Sequence, residues 1–506
     1  MIIPFSSNDW NAVIPAFIPA VAGLLVLIAD LIAGAQLKRY VAIGLGVAGA
    51  AVTGVFVLQQ YNHPYNSFFG GFISGGFTTV FEEIVVLALL GSLVLYGAIG
   101  SSGRIAGSVA LMLWSATGAL IMAGAANLMT IFLGLELLSL ALYCLCGLAD
   151  RATARESALK YLILSSTASA FLLFGMALLF GAGGSVQLAD FVNPALVASP
   201  LFWMGSCMFS IGIAFKLSLV PFHAWSPDVY EGAPLPVTAF MSVATKAGVL
   251  AVFARFIYAA LPGGIEAKLL LPIWIAAAIS MIVGNVGMLA QRDLKRLLAY
   301  SGIAQVGYIL TALAGTTALG LRYAIYYLAA YTFMNLGAFA VAAVLSADAR
   351  ARTVLPGNGV SLENDEFGSS LTAYSGLGRR RPVLAAMMTI FLLGLAGLPP
   401  TAGFLGKILI LASSTNAGYA WLAVFLILGT AISLYAYAKI IREMYIAGGD
   451  APLTRQHARA NGAMTHQQEQ HSLVPLAWIS LILCGVAVVA MTFYPLTPSN
   501  VLPLVK

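Results

Sequence analysis

Apolar residues run through this chain in blocks close to 20 residues long, separated by short polar or glycine-rich breaks. A helix rises about 1.5 Å per residue, so about 20 residues cross the ~30 Å hydrocarbon core of a bilayer. About fourteen such blocks are present, centred near residues 22, 50, 88, 114, 137, 169, 211, 245, 279, 308, 334, 398, 431 and 484. The first block has no basic stretch before it and no small-residue cleavage pattern after it, so it reads as an uncleaved span. The prediction is an all-α polytopic membrane protein.

Composition agrees with that class. Hydrophobic residues make up 60% and charged residues 9%, against about 25% charged in soluble domains. Net charge is +6, and its distribution is informative. Basic residues gather in alternate loops, as at Lys38 and Arg39, Arg104, Arg151 and Arg155, Arg292 to Arg296, and Arg379 to Arg381. The positive-inside rule then puts those loops in the cytoplasm and both termini on the outer side. Topology accounts for these short, scattered charges, so nucleic-acid binding is not indicated.

Two polar connections are longer than ordinary helix–helix loops, at 347–382 and 447–472. Neither has an apolar period, and each is expected to be a mobile loop or a docking surface for another subunit. Two spans are interrupted by proline, at Val220-Pro221-Phe222 and at Leu398-Pro399-Pro400. Proline removes a helix hydrogen bond, which membranes tolerate where the freed backbone faces protein or water. Paired breaks in two halves of a transporter point to inverted repeats with a midplane site, here of about five spans each.

Other motifs have plainer readings. Gly44, Gly46 and Gly49 form a GxGxxG string, but no strand precedes it and it lies within a span, so close helix packing is expected. Cys144, Cys146, Cys207 and Cys484 form no CxxC and read as buried free thiols, which argues against iron–sulfur ligation in this chain. No nucleotide loop, metal-ligand cluster or haem motif is visible, so no cofactor or metal site is assigned.

The chemistry rests on ionisable residues inside apolar runs. Glu136 lies in NLMTIFLGLELLSLALYCLCGLA, Lys216 in CMFSIGIAFKLSLVPFHAW, Lys246 in PVTAFMSVATKAGVLAVFA and Lys407 in LPPTAGFLGKILILA. An ionisable group at mid-membrane costs roughly 2.5–3.5 kcal/mol on insertion scales, and such groups mark ion or proton paths. An ion pair at about 4 Å is worth roughly 4 kcal/mol at an effective dielectric of 20, comparable with that cost. A lysine caught between desolvation and a neighbouring carboxylate can exchange a proton; an arginine stays protonated. Static interhelical ion pairs are the bland alternative, but the three lysines outnumber the central acids. Lys216 lies well inside if its helix continues to Trp225. Lys407 lies near the end of its run, where snorkelling to the outer interface is the competing reading.

His223, after the kink, offers a relay between Lys216 and Lys246, with a hydrogen-bonded structural histidine as the equal alternative. Tyr300, Ser301, Gln305 and Tyr308 form a polar stripe on one helix, suited to a water wire or to packing. Glu82 and Glu83 begin their span and read as a wet entry.

The segments FKLSLVPFHAWSPDVYEGAPLPVTAFMSVATKAG (215–248), AQRDLKRLLAYSGIAQVGY (290–308) and LAGLPPTAGFLGK (395–407) carry a resemblance. They are similar to blocks of the antiporter-like (Mrp-type) subunits of respiratory complex I, over roughly residues 105–445. Lys407 favours the N-type subunits over the M-type, which typically carry Glu there. The resemblance implies about fourteen spans with two inverted five-helix repeats containing broken helices. The chain would divide into helices 1–3 (1–104), a first repeat (105–258), a second repeat (266–446) and a C-terminal segment (447–506). Glu136 and Lys216 would form the charge pair of one half-channel, Lys246 the connecting lysine and Lys407 the terminal proton site. Many relatives have His where this chain has Gln305, which cannot take up a proton at neutral pH.

The implied function is a proton-translocating membrane-arm subunit of a bacterial inner-membrane NADH:quinone oxidoreductase. NAD, FMN, iron–sulfur clusters and quinone would sit on partner subunits, and an M-type subunit and small membrane subunits would be neighbours. The alternatives are a subunit of a multisubunit Na⁺/H⁺ antiporter and a non-pumping assembly scaffold.

Overall fold

A backbone crossing hydrocarbon has no water to bond, so its N–H and C=O groups must be satisfied within the segment, which selects helices for these apolar runs. A computed structural model describes residues 6–34, 37–99, 104–261, 266–353, 367–446 and 474–493. Among the described residues there are seventeen α-helices. They are α1 (Ser7–Ile32), α2 (Lys38–Gln60), α3 (Phe77–Ile99), α4 (Ile105–Gly124), α5 (Leu128–Gly147), α6 (Ala152–Gly183), α7 (Pro200–Lys216), α8 (Trp225–Gly232) and α9 (Leu235–Ala259). The chain continues through α10 (Glu266–Leu289), α11 (Leu294–Leu313), α12 (Ala318–Thr353), α13 (Leu377–Arg380), α14 (Pro382–Ala396), α15 (Ala402–Asn416), α16 (Ala420–Tyr445) and α17 (Val474–Phe493).

Ten of these are long and apolar enough to cross a membrane by length and composition. The more polar α11, the shorter apolar α17 and two spans each broken into a pair, α7/α8 and α14/α15, complete the expected set. Starts follow local capping chemistry. The Asn127 side chain accepts from Thr130 N at 2.7 Å to open α5, and Asp293 accepts from Arg296 N at 2.9 Å to open α11.

Both breaks fall where proline removes a donor. α7 ends at Lys216 rather than continuing to Trp225, and residues 217–224 form the turn before α8. Ser280 of α10 steadies this turn, accepting from Val220 N at 2.9 Å. The second break opens at Gly397, the left-handed cap of α14 (φ +80°), and closes at Thr401, whose side chain caps α15.

α9 is buried along its whole apolar length and packs on α3, α4, α5, α7, α11 and α12, so it forms the centre of the molecule. A two-stranded antiparallel hairpin, β1 (Asn66–Ser67) and β2 (Phe72–Ile73), covers the ends of α1 and α4. The glycine string in α2 does serve packing. A Cβ at Gly46 would meet Val109 at 2.8 Å, and one at Gly49 would meet Ala22 at 2.6 Å, while Gly44 faces open space.

Three expectations change. Cys144 and Cys207 lie on the outside of the chain, whereas Cys146 and Cys484 are buried, because helix rotation turns the first two outwards. Glu82 is not a wet entry: it is fully buried. Part of the 347–382 connection is folded, since α12 runs on to Thr353, and Tyr374 is buried with its hydroxyl donating to Gly368 O at 2.8 Å. The connection at 447–472 lies outside the described residues.

Candidate functional site

Glu136 sits midway along α5, half-buried, with Oε1 accepting from Ser169 of α6 at 2.6 Å. One turn further along each helix, Ser139 and Ser165 face the same interface. Lys216 Nζ donates to both hydroxyls, at 2.7 Å each. Residues three and four apart share a helix face, which is why two serine-bearing helices can line one polar seam. Glu136 and Lys216 thus face one serine-lined interface, each bonded to its own serines, with no direct ion pair between them. Lys216 also lies over the rings of Tyr161 and Tyr143, at 5.1 and 5.6 Å from their centroids, contacts that favour a cation.

The row then crosses the break. Tyr161 stacks on Trp225, the first residue of α8, at 4.7 Å. Trp225 is pinned by its Nε1–H donating to Phe215 O at 2.9 Å. One and a half turns along α8, Tyr230 Oη accepts from Lys246 Nζ at 3.0 Å. Lys246 is 3% exposed, on the buried central helix α9. Its ammonium lies against Gly302 of α11, where a Cβ would come within 3.2 Å of both Lys246 Nζ and Tyr331 Oη.

Beyond Gly302 the polar stripe of α11 takes over. Ser301 shares a 2.6 Å hydrogen bond with Tyr437 of α16. Gln305 accepts from Tyr327 of α12 and donates to the Leu395 carbonyl at 3.1 Å. Lys407 Nζ donates to that carbonyl at 3.3 Å, to Ala396 O at 3.0 Å and to Thr430 Oγ1 at 3.2 Å. It lies 4.4 Å from the centroid of Tyr308, whose hydroxyl accepts from Asn285 at 2.7 Å. Snorkelling is thus overturned: Lys407 is 4% exposed and bonds the carbonyls freed by the second break.

The structure brings Glu136 to Lys216, and Gln305 and Tyr308 to Lys407, and sets Lys246 on α9 between these two groups. Tyr300 stands apart, packed on Gly287. His223 sits half-buried in the turn between α7 and α8; Tyr230, not His223, holds the hydrogen bond to Lys246. Ser139, Ser165, Ser169, Tyr230, Tyr327, Thr430 and Tyr437 were not singled out from sequence. The four-residue spacing of Ser165 and Ser169 was the available signal.

Hydroxyls donate and accept at once, so serines and tyrosines between amines can pass a proton by exchanging bonds. Also on α8, Asp228 meets Lys160 of α6 at 3.0 Å and Arg296 of α11 at 2.7 Å, and Glu231 meets Arg296 at 2.6 Å. These pairs tie the short helix carrying Tyr230 to its neighbours on both sides.

The family model described as NADH:quinone oxidoreductase/Mrp antiporter, TM, matches residues 125–433. NADH-quinone oxidoreductase subunit N 1 of Symbiobacterium thermophilum is 40% identical, covering 88% of this chain and 90% of the relative. A chain of respiratory complex I from Thermus thermophilus superposes with a TM-score of 0.73 at 31% identity, covering 96% of this chain and 98% of that one. A chain of the Mrp complex from a Dietzia species superposes with a TM-score of 0.78 at 20% identity, a likeness of fold, covering 97% and 95%.

Proposed function

This chain belongs to the NADH:quinone oxidoreductase/Mrp antiporter membrane family, and on that premise we infer that it is the N-type membrane-arm subunit of a proton-translocating NADH:quinone oxidoreductase. The observation that supports this reading is the buried row itself. Glu136 accepts from Ser169, Lys216 and Lys246 donate to the hydroxyls of Ser139, Ser165 and Tyr230, and Lys407 donates to carbonyls at the second break and to Thr430. Glu136 and Lys216 act as the first exchanging pair, Lys246 as the link and Lys407 as the last site. Each lysine has neutral oxygen acceptors or an aromatic face when charged, and loses little when it gives the proton up.

Electron transfer belongs to partner subunits that carry NAD, FMN, iron–sulfur clusters and quinone; this chain supplies the proton path. Its neighbours are an M-type subunit and small membrane subunits. The chain is a multi-pass membrane protein, placed by this reading in a bacterial inner membrane with both termini on the periplasmic side. Energy reaches the row as a shift of charge or of the half-helices at the breaks.

Replacing Lys216 by Ala in the assembled complex should depress quinone reduction coupled to pumping. The check is the proton-to-electron ratio in proteoliposomes, and an unchanged ratio in an assembled Lys216→Ala complex would end this reading.

A second reading, a subunit of a multisubunit Na⁺/H⁺ antiporter, draws on the shared fold with the Mrp complex chain. It requires sodium-dependent proton flux without NADH. Copurification with a flavin and iron–sulfur peripheral arm decides for the first reading. An assembly scaffold would leave both measurements indifferent to charge-removing substitutions.

A further inference from the structure

A second buried acidic site lies off the lysine row. Glu82, on the first turns of α3, is 0% exposed, and neither of its carboxyl oxygens has a hydrogen-bond partner. Thr79 Oγ1 and Arg255 Nε are likewise buried without partners, and so is Glu83 Oε1. Arg255, on α9, uses its Nη2 on neutral acceptors, Thr78 Oγ1 at 2.9 Å and Ala123 O of α4 at 3.4 Å, and lies over the Phe77 ring at 5.4 Å. The nearest cation is therefore beside Glu82 but not in an ion pair with it.

We propose that Glu82 is a proton-binding site at the junction of α3, α4 and α9, separate from the lysine row. A carboxylate buried with no donor loses its hydration for nothing, at a cost of several kcal/mol on general scales. The protonated carboxyl is neutral and avoids most of that cost. Arg255 supplies the charge that stabilises the ionised form, so both forms are within reach. Glu83, next in the chain, is only half-buried, and Thr78, one turn before Glu82, bonds Ile73 O of the hairpin at 2.7 Å.

Among the described residues, the charges that act on Glu82 are Glu83 of its own helix and Arg255 of α9; α2, α4, α12 and α17, which also pack on α3, add no further one. Lys246 and Arg255 are nine residues apart on α9, which at about 100° per residue puts them on opposite faces. The whole width of α9 thus separates this site from the row, and the proposal needs only the fold, not the roles assigned to the lysines.

The test is infrared difference spectroscopy of the assembled complex in nanodiscs across a pH titration. A protonated-carboxyl C=O band that shifts in D₂O should be lost in Glu82→Gln and retained in Glu83→Gln. For the case in which Glu82→Gln does not assemble, the unaltered complex is treated with dicyclohexylcarbodiimide, which modifies protonated carboxyls in apolar surroundings. Mass spectrometry should find Glu82 modified at neutral pH and progressively less as pH rises. A band that survives Glu82→Gln, or a Glu82 that is unmodified at every pH, makes it a permanently ionised structural neighbour of Arg255 and overturns the proposal.

Discussion

Gln305 and Lys407, carried by different helices, donate to one acceptor, the Leu395 carbonyl exposed by the second helix break. A carbonyl freed in a membrane needs a donor, and here the same lack of helical bonding that breaks the span creates the seat for the ammonium. Gln305 holds this seat in place without carrying a proton itself. Replacing it by Ala leaves the Tyr327 hydroxyl without its acceptor, at a cost of about 1–3 kcal/mol. Gln305→Ala should lower coupled pumping severalfold, whereas Gln305→His, which keeps a donor and an acceptor, should retain most of it. The proton-to-electron ratio of reconstituted complex measures both.

Tyr230 offers a sharper cut. Phenylalanine at this position keeps the ring beside Lys246 but removes the hydroxyl that accepts its hydrogen bond. A hydrogen bond to a charged group is worth about 1.5–3 kcal/mol, so Tyr230→Phe should slow coupled quinone reduction by roughly tenfold or more with assembly intact. Steady-state turnover together with native-gel analysis of the complex tests this, and wild-type turnover would remove Tyr230 from the path.

Ser139 and Ser165 share Lys216 as donor. Each single change to Ala leaves the ammonium one hydroxyl, and the double change leaves it none. The double variant should therefore lose more than the two single losses added together, by roughly 0.5–3 kcal/mol in activation free energy, as expected for groups bonded to one centre. Additive effects would mean that the two serines act independently of Lys216.

Gly397 has φ +80°, and a Cβ there would sit 2.7 Å from Lys407 Cδ. Alanine at this position meets both a backbone penalty of roughly 1–2 kcal/mol and a collision with the functional side chain. Gly397→Ala should lower the temperature at which the subunit is retained in the complex and should reduce pumping further than that loss explains. Thermal challenge followed by native gels separates the two effects.

The ion pairs of Asp228 and Glu231 with Arg296 are partly solvated, so their combined worth is on the order of 1 kcal/mol. Arg296→Gln should raise amide exchange in α8 by a few-fold and leave α9 unchanged. Hydrogen-exchange mass spectrometry reads this directly. Unaltered exchange in α8 would show that stacking of Trp225 on Tyr161, not charge, holds the half-helix.

The span pattern, both broken helices and the four ionisable residues were legible in the chain, because the bilayer imposes a length on helices and a penalty on charge that few residues can escape. Hydroxyls carry no such signature. Serines and tyrosines are common in membrane helices, and only packing shows that Ser139, Ser165 and Ser169 line one seam while Ser92 and Ser206 are buried without a partner. Glu82 escapes the pattern for a related reason: a residue near the start of a span looks wet until α4 and α9 close over it. Cys144 and Cys207 show the converse, since an apolar run does not say which of its residues face outward.

Hydropathy and charge along the chain are local properties, and they decided that this is a multi-pass helical membrane protein with amines and acids inside its apolar runs. Which carbonyl receives Lys407, which tyrosine receives Lys246 and which serines bond Glu136 and Lys216 depend on helix rotation and on contacts between segments far apart in sequence. Those were decided by the packing around α9, because a hydrogen bond requires two groups within about 3 Å and no one-dimensional pattern contains that distance.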